Sequence, residues 1–331
     1  MNRRQLLEFG LRSLSGLALP LALGTPARQA RAEDWPARNV RVIVPYAAGS
    51  ATDLVPRVVF DAVSAKLGRT FVVENRVGGG TVVGAAAVAR AEPDGYTILV
   101  HSNAILTVPA IQANVPYDPV RDFAGITTLG NVPLVLVVPP QKNITSVQQL
   151  VAAAKARPGT MNYAAVGVGT PTHLTAERFR LAAGIEAQPV PFKGSPEAMT
   201  EVLTGRVDFF FCPTAAGAPL INEGKLVALA VSGSRRAEAL PHLPTTVEAG
   251  FPNSDFDFWV GAFVPKRTPR DLVDRIHDEI VTAIKGPTMK DKLAALGVEP
   301  LVMSPTEFDA RIAREAALAI DLAKAAHLAS Q

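Results

Sequence analysis

The sequence predicts an α/β protein with two lobes, and three features support this prediction. The chain has 331 residues, which is more than most single hydrophobic cores enclose. Hydrophobic residues make up 48% of the chain and charged residues 19%, so there is enough apolar side chain to bury a large core. Short apolar runs alternate with segments of helical periodicity, which is typical of parallel strands covered by helices.

The first alternating series predicts strand, helix, strand, helix and strand in that order. Pro93-Asp94-Gly95 marks the turn before the last of these strands. The segment 103–130 is less regular, and we assign no element to it. The predicted strands are 40–44, 71–74 and 96–100, and the predicted helices are 52–66 and 81–91.

A second alternating series begins at residue 134, and a proline-rich stretch at 241–252 then indicates a crossing back to the first lobe. We therefore predict that residues 33–130 and 255–331 form one lobe and that residues 131–254 form the other. Predicted strands are 134–138, 161–165, 188–191, 207–211, 226–231 and 258–263, and predicted helices are 147–156, 171–182, 196–203, 215–223, 269–285, 288–296 and 305–325.

The first 32 residues have the order of an export signal, with a basic start, an apolar stretch at 14–23 and then Ala30-Arg31-Ala32. We predict cleavage after Ala32 and a periplasmic location. Arg3-Arg4 followed by Gln5-Leu6-Leu7 is similar to a twin-arginine signal, although the general export route stays open. An amphipathic N-terminal helix is the alternative, but it leaves the prolines and glycine at 20–26 unexplained.

The net positive charge of the chain comes from the signal. Its five arginines and one glutamate give it a net charge of +4, and because the whole chain carries +3, the remainder carries −1. Charge therefore gives no case for nucleic-acid binding. Cys212 is the one cysteine, so neither an intramolecular disulfide nor a cysteine-rich metal site is expected. No uninterrupted apolar run reaches the ~18 residues that span a bilayer.

A turn of small residues follows the first strand, and it is the first candidate binding element. Gly49, Ser50, Ala51 and Thr52 precede the helix, and Ser50 with Asp53 fits a capping box. Free amides at the start of a helix, together with the helix dipole, favour an anion. The phenol of Tyr46 could line this site or donate a hydrogen bond to its ligand. The alternative is a plain βα turn without a ligand.

A second loop of the same kind follows the strand at 161–165. Gly167, Val168 and Gly169 precede Thr170, which is a good N-cap, and Pro171, which is a good first helical residue. The two glycines permit either a close approach or a positive φ. One such loop in each lobe suits a small molecule with a carboxylate at each end better than it suits a nucleotide.

Other polar residues near strand ends are weaker candidates. His173 could act as a base, but it lacks a nameable partner, so packing is the better interpretation. We add His173 and five further residues to the ligand-binding candidates, although we prefer anchoring a loop for the aspartate and filling the core for the cysteine. The five are Ser102, Asn103, Lys193, Asp208 and Cys212.

Motifs for other chemistries are weak or missing. The run from Gly78 to Gly84 has the wrong spacing for a dinucleotide fingerprint, and no phosphate-loop sequence occurs. The five histidines do not have the spacing of a zinc site, and no Gly-x-Ser-x-Gly elbow is present. We therefore expect no catalytic residue, no metal and no cofactor.

Taken together, these segments resemble the Bug and TctC-type extracytoplasmic solute receptors, which are binding components of tripartite tricarboxylate transporters. The resemblance covers nearly the whole chain after the signal. Its landmarks are 41–46 with Gly49 and Asp53, 73–76 with Gly78 and Gly80, 93–97, 117–119 with 122–123, 162–174, 191–194, 205–208 and 243–252.

The resemblance implies a type II periplasmic-binding-protein fold whose two lobes close like a Venus flytrap. It also implies a carboxylate ligand gripped between Gly49 to Asp53 in one lobe and Gly167 to Thr170 in the other. The chain departs from the family pattern at Ser50, at Thr81-Val82 and at Cys212-Pro213. The last two departures suggest a ligand that is less polar than citrate, such as an aromatic or aliphatic carboxylate.

We therefore expect a monomeric receptor that delivers an organic acid to membrane transporter subunits, without turnover. A receptor that signals to the outer domain of a membrane sensor is the first alternative, and neighbouring genes would separate the two. A secreted hydrolase is the second alternative. It requires a nucleophile and base that we do not find, and turnover of a carboxylate ester would support it.

Overall fold

The computed structural model describes residues 35–192, 194–326 and 328. The predicted signal at 1–32 and Lys193 lie outside these residues. The elements of the first part are β1 (Val40–Val44), α1 (Ala51–Leu67), β2 (Phe71–Asn75), α2 (Val82–Ala89), β3 (Thr97–Ser102), α3 (Ala104–Ile111) and β4 (Phe123–Asn131).

The middle part of the chain contributes nine further elements. They are β5 (Leu134–Val138), α4 (Val147–Ala156), β6 (Met161–Ala165), α5 (Pro171–Ala183), β7 (Ala187–Pro191), α6 (Ser195–Leu203), β8 (Phe209–Pro213), α7 (Thr214–Asn222) and β9 (Val227–Val231). The last part contains β10 (Trp259–Pro265), α8 (Arg270–Ile284), α9 (Met289–Ala295) and α10 (Pro305–Ala325).

These strands form two open five-stranded sheets, in the orders β2-β1-β3-β10-β4 and β7-β6-β8-β5-β9. In the first sheet β1 runs parallel to β2 and β3, whereas β10 runs antiparallel to β3 and β4. In the second sheet β6 runs parallel to β7 and β8, whereas β5 runs antiparallel to β8 and β9. The predicted α/β class with two lobes is confirmed, while the lobe ends at 130 and 254 stay a prediction.

A short crossing and a longer one join the sheets. Only residues 132–133 separate β4 from β5, and residues 232–258 lead back to β10. The Val132 amide donates a 2.7 Å hydrogen bond to the Phe258 carbonyl, so the two crossings are bonded to each other. Neighbouring crossings of this kind are what two lobes need in order to rotate about a common hinge.

Buried aromatic side chains fill the layers beside each sheet. Phe123, Trp259, Phe263 and Phe308 pack together in the first lobe, with ring centroids of neighbouring pairs 5.2–6.3 Å apart. Each large side chain of this kind stabilises the fold by roughly 1.5–3 kcal/mol when it is removed from water. The sheets are therefore rigid supports for the loops at their edges.

Sequence analysis missed two elements in the segment 103–130. This segment contains α3 and the nine-residue β4, all of whose residues are buried. Burial on both faces removes the alternation that identifies a strand, and Pro109 lies inside the short apolar α3. Neither the strand period nor the helix period is therefore visible in the sequence.

Among the described helices, none is long and apolar enough to cross a membrane.

Candidate functional site

The loop after β1 exposes the beginning of α1. Ser50 occupies the N-cap position with extended backbone angles, φ −71° and ψ 158°. The amides of Ala51 and Thr52 open the helix and have no carbonyl partner within it. Gly49 has a φ of +83°, and no atom lies within 4 Å of the place that a Cβ would take there. Helix-terminal donors therefore lie beside an open stretch of backbone.

The carboxylate of Asp53 is used inside the protein. Its oxygens accept hydrogen bonds from the Gly49 amide at 2.8 Å, from Asn75 Nδ2 at 2.7 Å and from Arg57 Nη2 at 2.9 Å. Burial raises the pKa of Asp53, but the bonds from Arg57, Asn75 and Gly49 outweigh it and hold this pKa below its ordinary value. Asp53 therefore holds the loop in place rather than meeting an anion.

The prediction that Ser50 caps the first turn is wrong. Its side chain makes no cap hydrogen bond, and its Oγ is buried without a partner. Asp53 does reach back, but to the amide of Gly49. Because Arg57 neutralises Asp53, the amides of Ala51 and Thr52 and the hydroxyl of Ser50 are left as donors for another group.

Tyr46 and Ser102 join the ends of β1 and β3. Tyr46 Oη lies 2.6 Å from Ser102 Oγ, which also accepts a 3.1 Å hydrogen bond from the Ala104 amide. Burial raises the pKa of Tyr46 despite its bond to Ser102, so the phenol stays neutral. The structure thus brings these two predicted residues into contact at the carboxyl edge of the first sheet.

His101 belongs to the same group, and sequence analysis did not select it. It is fully buried, its ring packs edge-on to Tyr46 at 5.2 Å, and burial lowers its pKa to about 4. Its Nδ1 lies 2.8 Å from the Ser102 carbonyl, which can only accept, so Nδ1 carries the proton. Nε2 is then an acceptor, and it has no partner. A histidine at the end of an apolar strand was the available signal.

The loop after β6 is braced by its own side chains. Gly167 and Gly169 both have positive φ, +85° and +77°, which favours glycine. Thr170 is the N-cap residue of α5, but its Oγ1 donates to the Gly167 carbonyl at 2.9 Å instead of capping the helix. Val168 is 60% exposed at the tip of the loop.

His173 supports this loop from beneath. Its Nδ1 accepts a 3.2 Å hydrogen bond from the Gly169 amide, which assigns the proton to Nε2. Burial lowers its pKa, and its ring stacks on Tyr163. These contacts agree with the packing interpretation of His173.

The second loop meets the first lobe through α3. Thr107 Oγ1 donates a 3.1 Å hydrogen bond to the Gly169 carbonyl, and a Cβ at Gly169 would lie 3.3 Å from Ile111 Cδ1. Asn103, at the start of α3, donates from Nδ2 to the Asp257 carbonyl at 2.8 Å, and its Oδ1 is buried without a partner. The beginning of α3 therefore lies between the two predicted loops and the crossing.

Asp208 does not lie at this edge of the sheet, which agrees with the interpretation that it anchors a loop. Its carboxylate accepts from Lys142 Nζ at 2.5 Å and from the Asn162 amide at 2.8 Å. It precedes β8 and lies beside the start of β6, whereas Gly167 follows the end of β6, roughly 16 Å along the strand. Asp208 anchors the opposite end of the second sheet.

Cys212 also does not line an open site. It is fully buried in an apolar cluster, and a Cβ at Gly217 would lie 2.8 Å from its Sγ. Burial raises the pKa of its thiol to about 12. The sulfur fills the core between β8 and α7, so this departure from the family pattern carries no argument about the ligand.

Five of the buried polar atoms without a partner lie in β3 or in the segments that follow β1, β2, β3 and α3. Thr81 is one of them, and its φ of +86° is unusual for a β-branched residue, which explains why the family pattern has glycine there. A buried polar atom without a partner costs stability, so such atoms mark places that a ligand or water completes. They are Ser50 Oγ, Thr81 Oγ1, His101 Nε2, Asn103 Oδ1 and Tyr117 Oη.

Comparison with known proteins decides the family. The profile described as "Tripartite tricarboxylate transporter family receptor" matches residues 55–326. The chain belongs to this family. The resemblance to Bug and TctC-type receptors is thereby confirmed, and this is a family of receptors rather than of enzymes.

Relatives in this receptor family align with the chain over nearly their whole length. Protein BugT of Bordetella pertussis is 33% identical over 306 residues, covering 92% of this chain and 94% of BugT. The structure of R. palustris Rpa4515 with adipate has a TM-score of 0.80 at 32% identity and covers 89% of this chain and 99% of its own. MatC from Rhodopseudomonas palustris with bound malate has a TM-score of 0.76 at 26% identity. The match covers 87% of this chain and 99% of the MatC chain.

Proposed function

We propose that this chain is an exported periplasmic receptor that binds a small organic carboxylate between its lobes and delivers it to a tripartite transporter. The observation that carries the proposal is the state of Asp53. This carboxylate lies at the start of α1, where it would repel an anion, but Arg57, Asn75 and Gly49 hold and neutralise it. The amides of Ala51 and Thr52 then face an environment that favours a carboxylate.

The relatives support this class of ligand, since one is bound to adipate and another to malate. The loop of Gly167 to Thr170 supplies the second side of the grip. Binding requires no chemistry in this proposal: the ligand contacts both lobes only when they are closed, so it favours the closed form. A ligand less polar than citrate remains our hypothesis, and it now rests on Val82 alone.

The first test is a thermal-shift panel on residues 33–331. The panel contains citrate, dicarboxylates, amino acids, nicotinate and aromatic acids. A ligand at about 100 times its Kd adds roughly 2.7 kcal/mol to the free energy of unfolding, which is easily measured. A shift with a few related acids supports the proposal. Turnover of a carboxylate ester without such shifts would favour a hydrolase instead.

A proline variant then tests the grip itself. Ala51→Pro deletes one free amide but suits the first helical position, and Ser50 already has the extended angles that precede proline. We expect a loss of affinity of about 10- to 100-fold for the best acid, with little change in Tm. Arg270→Pro is the control for a proline at the exposed start of another helix, and it also removes the Arg270 bonds to Asp274 and Thr306. Equal affinity in both variants would show that α1 does not hold the carboxylate.

A further inference from the structure

A cavity of about 140 Å³ lies beside the crossing at 255–257, and Thr107, one of its lining residues, also contacts the loop at Gly169. Its wall combines α3 and α10 of the first lobe, the crossing at 255–257 and Arg178 on α5 of the second lobe. We call it the hinge pocket. Its lining residues are Asn103, Leu106, Thr107, Arg178, residues 255–257, Arg314, Glu315, Leu318, Ala319 and Leu322.

Asn103 gives the hinge pocket one polar requirement. Its side chain is among the buried residues, at 4% exposure, and Nδ2 is fixed by its bond to the Asp257 carbonyl. Oδ1 is therefore an acceptor without a donor. An occupant with a hydroxyl or N–H group would satisfy it.

The charges around the pocket give a second requirement. Glu315 accepts from Trp259 Nε1 at 2.8 Å and from Arg311 Nε at 2.6 Å, and Asp257 accepts from the Ser234 amide at 3.0 Å. The Asp255 carboxylate lies 3.7 Å from Arg178. Arg314 is exposed and has no ion pair among the described residues. The three carboxylates thus have partners within the protein, and the guanidinium of Arg314 can bind an anion.

The remaining wall is apolar and suits a compact hydrocarbon body. Leu106 and Ala319 are buried, whereas Leu318 is 49% exposed at the side of α10. One water needs on the order of 10–15 Å³ of such volume, so the cavity holds roughly ten atoms the size of a water oxygen. An aromatic ring with a carboxylate and a hydroxyl has this size and this set of groups.

We propose that the hinge pocket is a second binding site, which takes a small hydroxylated aromatic acid. The hydroxyl donates to Asn103 Oδ1, the ring lies against Leu106, Leu318 and Ala319, and the carboxylate meets Arg314. Because Arg178 belongs to the second lobe, an occupant contacts both lobes and affects their closure. The proposal does not depend on the acid held at the α1 loop.

The probe is 4-hydroxybenzoate, titrated by calorimetry into residues 33–331. Benzoate lacks the donor and phenol lacks the carboxylate, so we expect each to bind at least tenfold more weakly. Arg314→Gln changes an exposed residue without an ion pair among the described residues, and it should weaken the binding of 4-hydroxybenzoate at least tenfold. Ala319→Leu fills the pocket and should abolish binding.

Ala51→Pro separates this site from the carboxylate grip at α1. It should leave the affinity for 4-hydroxybenzoate unchanged. Loss of binding in Ala51→Pro, with wild-type affinity in Arg314→Gln, would place the acid at the α1 loop and overturn the proposal. No binding by the wild-type protein would overturn it as well. The proposed transport function is tested separately, because a shift with the aliphatic acids of the panel, and its loss in Ala51→Pro, does not depend on the hinge pocket.

Discussion

At the scale of single residues, two buried groups near the candidate site do opposite work. Asp53 is charged and accepts hydrogen bonds from several donors. These bonds stabilise the loop at Gly49 and leave no oxygen of Asp53 for a ligand. His101 is neutral and keeps an unpartnered acceptor beneath Tyr46. The chemical type of a residue therefore does not say whether it serves the ligand or the loop, since its partners decide that.

Asp53→Ala should lower stability and affinity together. The change leaves the Gly49 amide and Asn75 without an acceptor, and hydrogen bonds to a charged group are each worth roughly 1.5–3 kcal/mol. We expect a loss of about 2–3 kcal/mol in the free energy of unfolding by urea. Asp53→Asn is the control, because it retains an acceptor for Gly49 and should lose less. Unchanged stability in both variants would contradict the holding role.

Because of His101, the free energy of unfolding should decrease as the pH falls. Its pKa is about 4 in the folded protein against 6.5 for the ordinary group, so the unfolded chain binds more protons between these values. Stability is therefore full above pH 6.5 and falls by roughly 3 kcal/mol as the pH drops to 4.

The measurement is urea unfolding at several pH values between 4 and 7 for the wild-type protein and His101→Gln. The variant should show a flatter dependence. His173, whose pKa is also lowered by burial, supplies the part that persists. Identical curves for the two proteins would contradict this assignment.

At the scale of elements, the start of α5 shows how a strand, a loop and a helix build one surface. Sequence predicted its boundaries well, because Thr170 and Pro171 are strong signals for a helix start. The internal bonds were not predictable: Thr170 bonds back to Gly167, and His173 holds Gly169. Such bonds depend on the fold of the loop rather than on the spacing of residues.

Gly169→Ala tests this loop against the other end of the same helix. Both Gly169 and Gly184, the C-cap residue of α5, have positive φ, so alanine at either should cost about 1–2 kcal/mol. Only Gly169 approaches Ile111. We expect similar losses of Tm, but about a tenfold loss of acid affinity for Gly169→Ala alone. Equal affinities would mean that the loop is outside the binding surface.

At the scale of the whole molecule, contacts between the lobes lie on both sides of the crossings. The side chain of Glu299, in the first lobe, accepts hydrogen bonds from the Glu238 amide at 2.7 Å and from Arg235 Nη2 at 3.1 Å. Thr107 contacts Gly169 beyond the hinge. The Glu299 contacts lie near the crossing at 232–258, whereas the Thr107 contact lies at the glycine loop of the second lobe.

Thr107→Val should therefore weaken binding without weakening the fold. It removes one hydrogen bond between the lobes, worth roughly 0.5–1.5 kcal/mol, which corresponds to about a 2- to 10-fold change in affinity. Thr107→Ser retains the hydroxyl and should bind as the wild-type protein does. Calorimetry measures the affinity, and solution scattering of the free protein should show a more open shape for the valine variant. A valine variant with wild-type affinity would exclude this contact from closure.

The sequence by itself determined the α/β class, the order of most elements, the two glycine loops and the receptor family. These depend on local periodicity, on caps and turns, and on the order of short motifs, all of which are properties of neighbouring residues. Tertiary structure decided the rest. It placed β10 between β3 and β4, put Asp208 at the far end of its sheet and buried Cys212 in the core.

Tertiary structure also formed the hinge pocket, which joins Asn103, Arg178, Asp257 and Arg314 from four separate segments of the chain. No local sequence pattern indicates that these four segments lie close together. Their proximity depends on pairings between residues more than a hundred positions apart, such as Asn103 with Asp257 and Asn131 with Glu299. These pairings form only when the whole chain has packed, which is why the sequence predicted the loops but not this pocket.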